Sequence, residues 1–117
     1  MNFDNSIPIY IQIVEKLKIY IISGKLSLGE RLSSVRDLAL LYKVNPNTIQ
    51  KALSELEDLK LIYTERTNGK FVTNDKKLVD KYKKEYADNL VKKFISNMED
   101  IGFTKEESIN YLMKGDK

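Results

Sequence analysis

Cysteine and histidine are both absent from the 117 residues. Without cysteine there are no disulfides and no thiolate metal sites. Without histidine the commonest general base and the commonest metal ligand are missing as well. Asp, Glu, Lys, Tyr and Ser would have to carry any catalysis unaided. No glycine-rich phosphate cradle or nucleophile elbow accompanies them. The expectation is therefore a protein that is not an enzyme, with no metal or cofactor. Long hydrophobic runs are lacking too. The longest apolar stretches, residues 9–13 and 19–22, fall far below the ~20 residues that span a bilayer, so no membrane association is expected. The N-terminus has no basic region followed by an apolar stretch, which points to a cytoplasmic rather than an exported chain.

What is present is a globular balance, 42% hydrophobic and 32% charged residues, with enough apolar content to fold and enough charge to stay in solution. The net charge of +3 permits nucleic-acid binding without demanding it. The positions of the charges decide more than their sum.

Apolar periodicity organises the chain into helices and one hairpin. Residues 8–23 read as a first helix. Pro8 suits its first position, Tyr10, Ile13, Val14, Leu17 and Ile21 form its stripe, and Gly24 supplies a left-handed stop. Ile9, Ile11, Ile19 and Ile22 widen the stripe, which implies more than one packing partner. A loop turning at Gly29 leads to a second helix, begun by Ser34 and Asp37 at the spacing of a capping box, with Val35, Leu38, Ala39 and Tyr42 facing inward. Asn45 as N-cap and Pro46 as first helical residue open a third helix, backed by Ile49, Ala52, Leu53 and Leu56. Two short helices about three residues apart are the helix-turn-helix signature. Residues 61–65 and 70–73, rich in β-branched and aromatic side chains around Asn68-Gly69, predict a hairpin. In that position it is a wing.

Asp75 then caps a long helix to about residue 100, whose apolar positions include Leu78, Val79, Tyr82, Tyr86, Leu90, Phe94, Ile95 and Met98. Gly102 ends it. Thr104 and Glu107 make a second capping box for a last helix. The fold class expected is mainly α with a small β wing: a winged helix-turn-helix over residues 1–74, then a two-helix dimerisation segment over residues 75–117. Leu78, Tyr82, Tyr86, Leu90, Phe94 and Met98 are the candidate dimer contacts. A stripe of that length needs a partner: the first helix, a second copy of the chain, or both. Lys76-Lys77 and Lys83-Lys84 read as a solvated face of the same helix.

A helix that reads DNA needs an apolar back and a polar face free of negative charge. The third helix meets both conditions, because from residue 44 to 54 it carries Lys51 and no acid. Asn47 and Gln50 have the amide geometry for adenine, and Thr48 can bond a base or phosphate. Arg36 has the planar fork that fits guanine, and Arg66 and Lys70 in the wing could reach phosphates or the minor groove. Each of these positions also has a purely structural role open to it: Asn45 as a cap only, Lys51 as solvated surface, and Arg36 paired with an acid such as Glu57. A winged helix used for protein–protein interaction is the alternative to a DNA reader, and the acid-free face argues against it.

These residues resemble the GntR family of regulators nearly continuously over residues 7–72. The likeness runs through Pro8-Ile9-Tyr10, Gln12-Ile13, Gly24, Leu26 and Gly29. It continues through Leu32-Ser33-Ser34-Val35-Arg36-Asp37-Leu38-Ala39, Val44-Asn45, Thr48-Ile49, Ala52-Leu53, Leu56-Glu57 and Leu61-Ile62, and ends at Gly69 and Phe71-Val72. The two-helix tail is similar to the small YtrA-like branch, in which these helices dimerise the protein. Larger members carry an effector-binding domain for which this chain leaves no room, and no residue pattern specifies an effector. The resemblance implies that Arg36 contacts a base, that Ser34 contacts phosphate, and that Asn47, Thr48 and Gln50 lie at the groove. It also implies that Gly69 lets the wing approach the backbone. The function it implies is a homodimeric repressor on an inverted-repeat operator in double-stranded DNA. Ser33 and Lys60 depart from the family's usual proline and glycine. Thr67 stands where the wing often has a second glycine, and Pro46 and Gln50 where some relatives carry basic residues.

Overall fold

A computed structural model describes residues 3–115. In chain order the elements are α1 (Ile9–Ile22), α2 (Val35–Tyr42), α3 (Pro46–Asp58), β1 (Ile62–Glu65), β2 (Gly69–Val72), α4 (Lys76–Asp100) and α5 (Lys105–Lys114). The chain separates into two compact units, one ending at Lys81 and the other beginning at Tyr82, so the division falls inside α4.

In the first unit α3 is the central element, packed against both α1 and α2. Its inner stripe, Ile49, Ala52, Leu53 and Leu56, is fully buried, as the 3.6-residue period predicts. Each large side chain of that stripe contributes about 1.5–3 kcal/mol relative to exposure, so the outer face of α3 is presented on a rigid support. Ile13, Leu17, Ile21 and Ile22 of α1 and Leu38, Ala39 and Tyr42 of α2 complete this layer. Burial pushes the Tyr42 phenol up from its ordinary value, with the nearby Tyr20 adding to the shift. The widened stripe of α1 is only partly used: Ile22 is buried, but Ile9 and Ile11 remain exposed. Pro8 sits at the N-cap rather than at the first helical position.

Helix ends follow the local chemistry. Ser34 caps α2, its Oγ accepting from the Asp37 N–H at 3.0 Å. The reciprocal half of the expected capping box, from Asp37 back to Ser34, is not formed, whereas the box of Thr104 and Glu107 on α5 is complete. Asn45 caps α3 through the Asn47 N–H at 2.7 Å, and Asp75 caps α4 through the Leu78 N–H at 3.1 Å. Three helices stop in the same way. The N–H groups of Val44, Leu61 and Phe103 reach back to the carbonyls of Ala39, Leu56 and Met98, each past a residue of positive φ. That residue is Gly102 after α4, but Lys43 (φ 57°) after α2 and Lys60 (φ 62°) after α3. A lysine there holds a left-handed conformation that glycine adopts freely.

The hairpin pairs Ile62 with Val72 and Glu65 with Gly69. Its connection is therefore three residues, 66–68, rather than a two-residue Asn-Gly turn. The Asn68 N–H donates to the Glu65 carbonyl at 3.2 Å, and Gly69 follows at φ 101°, the arrangement of a turn closed by a glycine bulge. Residues 30–32 run alongside β2. The Leu32 N–H donates to the Lys70 carbonyl and the Val72 N–H to the Glu30 carbonyl, each at 2.8 Å, and Arg31 bridges to Phe71.

In the second unit α5 follows α4 after Gly102. Ser108 is fully buried and its hydroxyl donates to the Thr104 carbonyl at 2.8 Å. Phe103 and Tyr111 meet edge to face at 5.8 Å. Leu90, Val91, Phe94, Ile95, Ile109 and Leu112 line an apolar groove of about 310 Å³. Leu90, Val91 and Leu112 are each more than half exposed in the single chain.

Candidate nucleic-acid interface

Burial of the apolar stripes of α2 and α3 turns their polar side chains outward. On α3 the positions exposed before the first acid are Pro46, Asn47, Gln50, Lys51 and Ser54, with Thr48 half-buried. The acids of the helix, Glu55, Glu57 and Asp58, all lie beyond them toward the C-terminus. The face is thus polar, cationic at one point and free of carboxylates for its first nine residues, which suits it to an acceptor-rich groove and its phosphates.

Lys51 is more than a solvated lysine. Its ammonium stands 4.1 Å from the centroid of the Tyr10 ring, a cation–π contact that restrains a flexible chain without neutralising it. Ile9, Tyr10, Asn47, Thr48 and Lys51 together line a shallow concavity, so the first turn of α1 borders the reading face. Arg36, in the first turn of α2, is exposed, and no ion pair or hydrogen bond engages it among the described residues. Glu57, the acid named as its alternative partner, is held by Lys70 instead.

Beside α2 a cleft of about 630 Å³ opens between the start of that helix and the wing. Arg31, Ser34, Arg66, Gly69 and Lys70 line it, with Asp37 and Glu65 as the acids on its wall. Arg66 is exposed in the wing loop. Gly69 has a structural task at this point: a Cβ built on it would stand 3.3 Å from Nε of Arg31. The glycine thus leaves room for that guanidinium as well as supplying the bulge. Lys70 is not the freely exposed wing lysine that its position in the sequence implied. Its side chain is 23% exposed, paired with Glu57, and donates to Thr64 Oγ1 at 2.8 Å. Arg31 is a cleft residue that sequence reasoning passed over. It lay in a segment read as loop, and only the pairing of that loop with β2 brings it to the wing.

The six candidate dimer positions divide between the units, Leu78 in the first and Tyr82, Tyr86, Leu90, Phe94 and Met98 in the second. Leu90 is exposed and the other five are half-buried. Val79 is the buried residue of α4.

Comparison with known proteins agrees with this geometry. The model of the gntR family of bacterial regulatory proteins matches residues 9–72. The HTH-type transcriptional regulator YhcF of Bacillus subtilis is 37% identical over 108 residues, covering 92% of this chain and 89% of that protein. The solved structure of a GntR family transcriptional regulator from Listeria monocytogenes superposes with a TM-score of 0.88 at 43% identity, covering 96% of this chain and 98% of that one. The DNA-binding domain of AraR, solved in complex with an operator, superposes with a TM-score of 0.56 at 26% identity, covering 62% of this chain and 88% of that one.

Fold and site together define a winged helix-turn-helix transcriptional regulator, a DNA-binding protein rather than an enzyme. The chain belongs to the gntR family, and its likeness to YhcF and to the Listeria regulator extends through the two C-terminal helices.

Proposed function

We propose that the protein represses transcription in the cytoplasm as a homodimer bound to an inverted-repeat operator. Each α3 enters a major groove, where Asn47, Thr48, Gln50 and Lys51 face base edges and phosphates. Arg36 reads a base beside it. Ser34 and the exposed Arg66 approach the backbone, and repression follows from occlusion of the promoter. The observation that carries this reading is the outer face of α3, acid-free and rigidly backed by four fully buried residues. The AraR domain, which shares the fold and was solved in complex with an operator, supports double-stranded DNA as the partner. The apolar groove of the second unit, with Leu90, Val91 and Leu112 left exposed, supports a second copy of the chain as its cover. Among the described residues no helix is long and apolar enough to cross a membrane.

Two readers joined in one dimer make the second half-site contact intramolecular, which raises affinity on the order of 10²–10⁴-fold with no new base contact. The full chain is expected to sediment as a dimer at micromolar concentration. Leu90→Asp with Leu112→Asp should yield a monomer that loses about that factor on an inverted repeat and little on a single half-site. A wild-type chain that sediments as a monomer, or a monomeric variant that keeps full affinity for the repeat, overturns the dimer.

A further inference from the structure

The Glu57–Lys70 pair differs from its neighbours in what it joins. Lys76–Asp80 and Lys84–Asp88 are exposed pairs one turn apart on α4. Glu57–Lys70 instead links the last turn of the reading helix to the second strand of the wing, with both side chains about two-thirds or more withdrawn from solvent. Lys70 also donates to Thr64, its direct partner across the hairpin. One ammonium therefore ties α3, β1 and β2 together on the side of the wing that carries Arg66. We infer that Lys70 is a positioning residue, a strut that fixes the wing relative to α3, and that Glu57 is its anchor. Neither group contacts DNA.

Charge alone predicts the reverse of what a strut predicts. Glu57 is a carboxylate close to a surface that meets phosphates, so removing its charge should strengthen binding to any DNA if electrostatics were the whole account. A free Lys70 on a phosphate would also release a counterion, and its loss would flatten the salt dependence by about 0.9 per contact. A strut whose anchor is removed gives a looser wing and weaker binding, although the protein has become more positive.

The inference rests on α3 and the wing being the DNA-reading surfaces, and the test separates the two. Glu57→Gln and Lys70→Met are titrated against the preferred operator at several salt concentrations, with the melting temperature of each measured. Amide exchange of residues 64–71 is followed in the DNA-free protein. We expect each variant to lose about three- to tenfold in affinity per half-site, the net scale of one typical protein hydrogen bond. The double variant should lose no more than either single one, because the two act as a unit. The salt slope should be unchanged and wing exchange faster. Lys70→Arg should keep most of the affinity. The exchanged pair E57K with K70E should recover it, since the Thr64 hydroxyl can donate to a carboxylate at position 70.

Glu57→Gln binding as tightly as wild type or more tightly overturns the strut, as does a flatter salt slope for Lys70→Met. A fall in melting temperature with no rescue by the exchanged pair also overturns it, because that pattern belongs to a residue that matters for folding alone. Wild-type protein that binds no DNA would sink the function reading instead. Wing exchange in Glu57→Gln would still decide the strut, since unchanged protection would mean that the pair positions nothing.

Discussion

Replacing Arg36 by alanine separates base reading from phosphate clamping. The side chain is exposed in the first turn of α2 and carries no ion pair or hydrogen bond among the described residues. Truncation therefore removes no contact of the folded chain, and stability should stay within about ±0.5 kcal/mol. Any loss of binding then belongs to the interface. A bidentate arginine–guanine contact discriminates by about 1–3 kcal/mol, which is about 5- to 140-fold in affinity for one protomer. A dimer on two half-sites makes the contact twice at well-separated places. The losses add to about 2–6 kcal/mol, on the order of 30- to 20,000-fold. Fluorescence anisotropy with a duplex selected from random sequence, beside a scrambled duplex at the same salt, gives both affinities. Thermal melts run alongside. The scrambled duplex should lose no more than one phosphate contact would explain. Equal losses on the two duplexes would refute base reading and leave Arg36 as a phosphate clamp.

Lys51→Ala should weaken binding to all sequences and flatten the salt slope by about one unit per protomer, and an unchanged slope would remove Lys51 from the interface. Lys43→Gly and Lys60→Gly should each relieve left-handed strain of about 1–2 kcal/mol, less about 0.5–1 kcal/mol of added chain entropy. The net gain is between about 0 and 1.5 kcal/mol, at roughly 4–8 °C in Tm per kcal/mol for a small domain. Because dimerisation shifts Tm with concentration, the melts are compared at one protein concentration. A lower Tm for both variants would show that neither position is strained.

What could be read from the sequence was whatever repeats or caps locally. The α3 stripe of Ile49, Ala52, Leu53 and Leu56 follows from a period, and the caps at Ser34, Asn45, Asp75 and Thr104 follow from one side chain and an N–H two or three residues on. Both signals lie inside a single window. The misjudged details came from longer reach. Asn68-Gly69 has the composition of a two-residue turn, but pairing of Glu65 with Gly69 adds a residue, and that register is set by the strands rather than by the dipeptide. Asp37 has the spacing of a capping box, yet only the Ser34 half forms. Spacing permits the reciprocal bond, but Asp37 is one methylene shorter than the Glu107 that completes the box at Thr104. Ile9 and Ile11 looked like core because they are apolar, but both stay exposed in the first turn of α1, Ile9 at the rim of the concavity it shares with α3.

Lys70 illustrates the same limit at the candidate interface, with a functional consequence. A lysine beside a glycine turn is solvated on average, and nothing within ten residues identifies its partner except Thr64 across the strand pair. Glu57 comes within reach because α3 ends in a left-handed residue, Lys60, which turns the chain so that β1 starts beneath the last helical turn. The hairpin register then returns position 70 to the same spot. The strain at Lys60 and the ion pair at Lys70 are thus parts of one corner, the first setting the direction of the wing and the second holding it. If so, relieving the strain with Lys60→Gly should raise stability but also free the backbone at that corner. Its effect on operator affinity should then be larger in a chain that already carries Glu57→Gln than in the wild type. Additive effects of the two substitutions on affinity would mean that the corner and the strut act independently.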